Sequence, residues 1–214
     1  MLANLFLHYA FDEWMRRNYP GIPFERYADD VIVHCVSERQ AKWLKAKIEE
    51  RLMKCGLELH PQKTRIVYCK DDKRKGSYQN ESFDFLGYTF RPRMAKSRLG
   101  GYFAAFMPAV SNKATREISR VMRSWRIHRW NEKTLEELSL FCNPVLRGWV
   151  NYYGRYYKSA LYRVFNILNR SLVRWVMRKY KRFRFNQSRA AQWLRGVAKR
   201  QPELFVHWQI GIRP

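Results

Sequence analysis

Helical and strand-like apolar patterns alternate over the first half of this chain, and beyond Pro108 only the helical pattern remains. Leu2, Leu5, Phe6, Tyr9 and Trp14 stand at helical spacing and predict a helix over 2–17, closed by Pro20-Gly21-Ile22-Pro23. The β-branched and aromatic runs Phe24–Tyr27 and Val31–Val36 flank Asp29-Asp30, predicting a hairpin with two acids at its tip. Ser37 and Gln40 have the spacing of a capping box, and Ala41, Leu44, Ile48 and Leu52 form the buried stripe of a helix that stops at Gly56. Thr64–Cys69 reads as a strand, Lys70–Ser82 as a polar loop and Phe83–Phe90 as another strand, with a second hairpin over Leu99–Met107 around Gly100-Gly101.

After Pro108, helices are predicted at about 112–129, 133–157, 159–182 and 188–199. In the first, Ile118, Val121, Met122 and Trp125 make an apolar stripe, while Arg116, Arg120 and Arg123 follow i, i+4, i+7 on another face. The helix after Ser159 repeats the division, with Leu161, Phe165, Leu168, Leu172 and Trp175 inward and Arg163, Arg170, Arg174 and Arg178 elsewhere. Tyr152, Tyr153, Tyr156 and Tyr157 crowd together and cannot all face one core. Val145, Trp149, Tyr152 and Tyr156 share a stripe, and Trp149 and Tyr153 read as core.

Charge sharpens the division. The formal net charge is +24, of which residues 1–90 supply +2 and residues 91–214 supply +22. The first part is neutral enough to hold divalent cations with carboxylates; the second, with twenty-seven Lys and Arg against five acids, is built to hold phosphates. No run of about 18 apolar residues exists, and the apolar start Leu2–Phe11 lacks a basic flank and a cleavage site, so a soluble, unexported protein with no membrane partner is expected. Cys35, Cys55, Cys69 and Cys142 form no C-x-x-C pair and the histidines no H-E-x-x-H, so no zinc site is read.

Two carboxylates at a turn between apolar strands suit a cation, and two-metal phosphoryl transfer needs such carboxylates to clamp paired Mg²⁺ ions; an ordinary solvated Asp-Asp turn is the alternative. Several motifs bear on the choice. Phe24-Glu25-Arg26-Tyr27-Ala28-Asp29-Asp30-Val31 resembles the catalytic-strand motif of reverse transcriptases, Gly56-Leu57-Glu58-Leu59-His60-Pro61-Gln62-Lys63-Thr64 the next palm motif, and Phe83-Asp84-Phe85-Leu86-Gly87-Tyr88 the one after. Leu2-Ala3-Asn4-Leu5-Phe6-Leu7 resembles the tail of the preceding motif. Asn143-Pro144 with Arg147-Gly148-Trp149-Val150-Asn151-Tyr152-Tyr153 resembles the maturase-specific segment of group II intron-encoded proteins. In order and spacing, the chain resembles the C-terminal part of a group II intron reverse transcriptase and maturase.

The resemblance implies an α+β fold: a partial reverse-transcriptase palm, an antiparallel sheet with helices, over 1–107, then an all-helical thumb and maturase domain over 108–214. Asp29 and Asp30 would be catalytic, metal-binding carboxylates for Mg²⁺, and Lys63 would lie near the incoming triphosphate, a solvated strand-edge lysine being the alternative. Tyr27 and Ala28 would flank nucleotide and primer end; Phe85, Leu86 and Gly87 would grip the primer strand or, more simply, form a core strand. Arg116, Arg120, Arg123, Arg147, Arg163, Arg170, Arg174 and Arg178 would bind RNA. Implied partners are group II intron RNA, a template-primer duplex and a separate N-terminal reverse-transcriptase fragment, in a bacterial cytoplasm, nucleoid- or RNA-associated, or in an organelle. Fingers and an earlier palm aspartate have no counterpart, and Met1 falls inside a motif, so a truncated frame without polymerase activity of its own is expected. No DNA cutting is expected either, because the cysteine-rich H-N-H nuclease of some relatives has no counterpart after Trp208. Two other readings stay open: an active RNA-directed DNA polymerase completed by an N-terminal part, and an unrelated basic RNA-binding protein.

Overall fold

The computed structural model describes residues 2–214; Met1, which bears on the expected truncation, lies outside the described residues. The chain forms two compact units, residues 1–68 with 76–81 and residues 69–75 with 82–214. The predicted mixture of helix and antiparallel sheet is present.

In the first unit, α1 (Leu2–Leu7) and α2 (Glu13–Asn18) run on through a π-helical turn, His8–Asp12. That extra residue rotates the face that packs. Phe11 and Met15 are buried with Leu44, Ile48 and Leu52 of α3 (Glu38–Lys54); of the expected stripe only Trp14 packs against them, while Leu2, Leu5, Phe6 and Tyr9 are open, Leu2 at 82% and Tyr9 at 63%. β1 (Phe24–Tyr27) and β2 (Asp30–Val33) form the predicted hairpin, with Tyr27 opposite Asp30. The cap of α3 reaches one residue further back than a standard box: Ser37 Oγ accepts from the Gln40 N–H at 3.2 Å, and Gln40 Oε1 accepts from Val36 N–H at 2.8 Å. At its other end Leu57 N–H donates to Leu52 O and Gly56 N–H to Met53 O, a double closure that needs the positive φ of 71° at Gly56.

Thr64–Cys69 is not a regular strand. A strand exists by pairing, and this segment makes only isolated contacts of that kind, Tyr68 N–H to Asn80 O at 2.8 Å and Asn80 Nδ2 to Ile66 O at 3.4 Å.

The second unit contains a sheet of β3 (Phe83–Phe85), β4 (Tyr88–Lys96) and β5 (Tyr102–Val110), antiparallel throughout. Phe83–Phe90, read as one strand, is folded on itself. Leu86 and Gly87 take φ of 48° and 77° and turn the chain between Phe85 and Tyr88, a two-residue connection whose twist suits the flanking strands. The second hairpin extends well beyond Leu99–Met107, from Tyr88 opposite Val110 to Lys96 opposite Tyr102. Pro108 lies inside β5, which is an edge strand and tolerates a missing N–H.

Four long helices follow: α4 (Asn112–Ser124), α5 (Leu135–Tyr153), α6 (Ala160–Lys179) and α7 (Gln187–Arg200), with a short α8 (Val206–Gln209) that the sequence pattern did not announce. Ser111 and Asn186 cap α4 and α7, and Thr134 with Glu137 makes a complete capping box on α5. Arg126, at φ 49°, ends the helix predicted to reach 129. The core is organised on α6, where the expected stripe Leu161, Phe165, Leu168, Leu172 and Trp175 is fully buried and Val164 and Val176 join it. On α5 the buried face is Leu135, Leu138, Cys142 and Leu146, with Trp149 and Tyr153 packed at its end. Val145, Tyr152 and Tyr156 are exposed, because their stripe runs along the flank of that face. Burial pushes the Cys142 thiol up to about 12, so it stays protonated and inert.

The end of the chain is pinned by two asparagines. Asn143 Nδ2 donates to Leu204 O at 2.9 Å and its Oδ1 accepts from Val206 N–H at 3.1 Å. Asn169 Oδ1 receives His207 Nε2 at 2.8 Å and Trp208 Nε1 at 3.0 Å, while its Nδ2 donates to Ile212 O at 3.2 Å. His207 is wholly buried, which lowers its pKa to about 3. Its folded value lies below the unfolded one of about 6.5, so unfolding takes up a proton and stability falls as pH drops from about 6.5 towards 3. From pH 7 to pH 5 this histidine alone should remove about 2 kcal/mol, at about 1.4 kcal/mol for each pH unit below the unfolded value. Urea unfolding across that range should show the slope, and His207→Gln should flatten it; an equal slope in both proteins would assign the effect to another group.

Candidate metal-binding hairpin and nucleic-acid interface

The tip of the first hairpin is Ala28-Asp29, with Asp30 opening β2; all three are exposed, as is Tyr27 at 63%. A φ of 55° at Ala28 is a conformation a β-carbon disfavours, so something must hold it. Arg26 does. Its Nη1 donates to Ala28 O at 2.8 Å, and Nε and Nη2 make a fork to the two oxygens of Asp12, each at 2.7 Å. Both side chains are about nine-tenths buried, and Asp12 comes from the π turn. The Arg26 hydrogen bonds hold the Asp12 carboxyl below its usual range. Sequence reasoning missed this pair; an acid amid the apolar residues of the first helix was the available signal.

Asp29 and Asp30 leave one tip, exposed and without an ion-pair partner among the described residues. Two carboxylates from adjacent positions fit part of a Mg²⁺ coordination shell, the rest being water or substrate oxygen. Among the described residues no group of three or more His, Cys, Asp or Glu could enclose an ion. Lys63 is exposed in a turn closed by Thr64 N–H to His60 O at 3.0 Å, not on a strand edge.

In the second unit the Leu86-Gly87 turn lies against the end of α5. Tyr152 Oη donates to Leu86 O at 2.8 Å, Tyr88 Oη donates to Tyr152 O, and Ser111 N–H donates to Gly87 O at 2.9 Å. A β-carbon on Gly87 would stand 2.7 Å from Tyr153 Oη, so the close approach that glycine permits here is taken by a tyrosine.

The arginines picked out by spacing are all exposed: Arg116, Arg120 and Arg123 on α4, Arg147 on α5, and Arg163, Arg170, Arg174 and Arg178 on α6. Arg120 is already engaged with Glu117. The α6 set lies in a stretch of sequence with no acid between Glu137 and Glu203. Arg126, Arg129, Arg174 and Arg178 converge on His128, whose pKa is lowered by burial first and then by these four cations. Arg126 and Arg129 were not among the expected contacts; they join because the turn at Arg126 folds the 127–129 segment onto α6.

Two family models match: one described as reverse transcriptase (RNA-dependent DNA polymerase) over residues 1–90, the other as the group II intron, maturase-specific domain over residues 115–193. The chain joins a reverse-transcriptase region to a group II intron maturase-specific domain, the pairing of group II intron reverse transcriptase–maturases. No curated protein matched the chain directly. In this reverse transcriptase–maturase chain the first model spans Asp29, Asp30, Lys63 and Leu86-Gly87, and the second spans the arginines of α4, α5 and α6. Binding of intron RNA for splicing is the role of the maturase-specific domain, and polymerases of the first family generally use Mg²⁺. No helix of the described residues is long and apolar enough to cross a membrane.

Proposed function

We propose that this chain grips structured group II intron RNA chiefly through the α6 arginines Arg163, Arg170, Arg174 and Arg178, with Arg116, Arg120, Arg123 and Arg147 as flanking contacts. The supporting observation is the acid-free run from residue 138 to 202 folded around a rigid helix, so that planar guanidinium forks stand on a fixed frame. A solvated face would mix signs. Each phosphate neutralised releases condensed cations, so affinity for such an RNA should fall linearly in log–log form as salt rises. Filter binding of a folded intron RNA between about 50 and 200 mM salt tests this; affinity indifferent to salt would remove the reading.

We assign residues 1–107 to the palm-derived part and 108–214 to the thumb and maturase part, a functional boundary distinct from the compact units and lying between the two family matches. In the palm part we assign Asp29 and Asp30 as Mg²⁺ ligands, Lys63 as the triphosphate-side cation, and Tyr27 and Ala28 as neighbours of the primer end. Phe85, Leu86 and Gly87 are assigned to the primer strand, which they would meet through the Leu86 side of the turn, since Tyr153 occupies the Gly87 side. A second reading, DNA synthesis on a template-primer duplex together with a separate N-terminal reverse-transcriptase polypeptide, is favoured by the open apolar ridge Leu2, Leu5, Phe6 and Tyr9 within the hairpin's own unit. We place the protein with cytoplasmic or organellar RNA.

A further inference from the structure

The turn between α6 and α7 carries a side chain that packing does not explain. Phe185 is 91% exposed, although Phe183 two residues earlier is buried and already anchors the turn. The backbone around it is tied down: Phe183 N–H donates to Tyr180 O at 2.9 Å, Asn186 N–H to Phe183 O at 3.0 Å, and Asn186 Oδ1 caps α7 by accepting from Arg189 N–H at 2.9 Å. A ring on a frayed loop would be incidental, whereas this one is presented by a braced turn. Its neighbours are cations. Arg184 lies over the Phe185 ring at 5.3 Å, Arg182 lies over Phe183 at 4.7 Å, and Lys181 and Arg189 are exposed beside them.

We infer that Phe185 is a stacking platform for one unpaired nucleotide of bound RNA, with Arg184 backing the ring and Arg182 facing the sugar-phosphate backbone. The inference rests on the RNA-binding reading above and adds to it a specificity for single-stranded positions. The ring offers a π face to any base, and a guanidinium on its other side completes a sandwich that tolerates sequence. Duplex RNA presents no free base face and is held by phosphate contacts alone. An anionic membrane surface also attracts a phenyl ring among cations, but it gains from several apolar side chains inserted together, and this turn exposes one.

The test uses the full chain with two RNAs of equal length, a hairpin with 2-aminopurine in its single-stranded loop and a blunt duplex. Phe185→Ala should weaken binding to the loop RNA by about fivefold to a hundredfold, the range for one base stacked on an aromatic, and change duplex binding by less than about twofold. Phe185→Trp should keep loop affinity, and the 2-aminopurine fluorescence quenched by wild type and Phe185→Trp should stay bright with Phe185→Ala. Because the residue is exposed, the melting temperature should not move. Equal effects of Phe185→Ala on both RNAs, or none, would overturn stacking while leaving the RNA-binding reading intact. Loss of binding to phosphatidylserine vesicles in Phe185→Ala with unchanged RNA binding would overturn it in favour of a lipid surface. Wild-type protein that binds neither RNA would remove the RNA-binding reading itself, and the stacking proposal with it.

Discussion

Replacing Arg170, Arg174 and Arg178 together with glutamine should weaken RNA binding at least about tenfold at physiological salt and lower the slope of log affinity against log salt by about two to three. If each exposed arginine on the α6 face neutralises one phosphate, as proposed, each lost contact removes nearly one released cation. Glutamine keeps length and hydrogen-bonding capacity while deleting charge, so the slope reports charge rather than shape. The fold should survive, because the three side chains are exposed while the stripe that holds α6 in the core stands on its other faces. Arg120→Gln is the internal comparison: Glu117 already neutralises that guanidinium, so its removal should move the slope less. An unaltered slope in a folded triple variant would mean that phosphates are held elsewhere.

The α6 face was legible in the sequence because two periodic signals agree on one helix, with apolar and arginine positions each recurring at helical spacing. The Asp29-Asp30 hairpin was legible for a similar reason, since two apolar runs leave the acids only the tip. Failures arose where a single extra residue or a distant partner decides the geometry. A π turn at His8–Asp12 shifts the buried face of the first helix from Tyr9 to Phe11 and Met15, and hydrophobicity carries no mark of that insertion. Phe83–Phe90 has the composition of one strand, but Leu86-Gly87 can turn, and turning satisfies both halves by pairing them. Thr64–Cys69 has strand composition, but among the described residues it meets isolated contacts with Asn80 and no regular partner strand.

The candidate site divides the same way. Residue types that perform chemistry announce themselves through motif and charge, whereas those that hold them in place do not. Arg26 looks like one more surface cation in sequence; folded, it is the brace linking Asp12 to the strained Ala28 backbone beneath the carboxylates. Gly87 announces close approach but not by whom, and the visitor is Tyr153 from sixty-odd residues away. The maturase helix α5 thus completes the turn that the reverse-transcriptase pattern contributes, which explains why β3, β4 and β5 belong to the same compact unit as the helices.

Primer extension on an RNA template should be undetectable for this 214-residue chain alone and should appear only when a second polypeptide supplies fingers and a further palm carboxylate. Ligand counting is the ground. A two-metal site holds its ions about 3.5 to 4 Å apart, which takes carboxylates from more than one strand. Asp29 and Asp30 leave a single tip, and among the described residues no third ligand stands with them. One ion held by two adjacent carboxylates and water cannot stabilise both the attacking and the leaving oxygen, so the expected loss is complete rather than graded. Complementation has a physical route, because β1 and β2 form a two-stranded sheet with open edges among the described residues, and Leu2, Leu5, Phe6 and Tyr9 offer apolar surface for an added element. Extension assays with Mg²⁺ should compare the chain alone, the chain with the second polypeptide, and each with Asp29→Ala plus Asp30→Ala. Synthesis is expected only in the complemented wild type and should vanish in its double variant. DNA made by the wild-type chain alone and lost in the double variant would show that the two carboxylates recruit their missing ligand from within this chain, and the ligand count would be wrong.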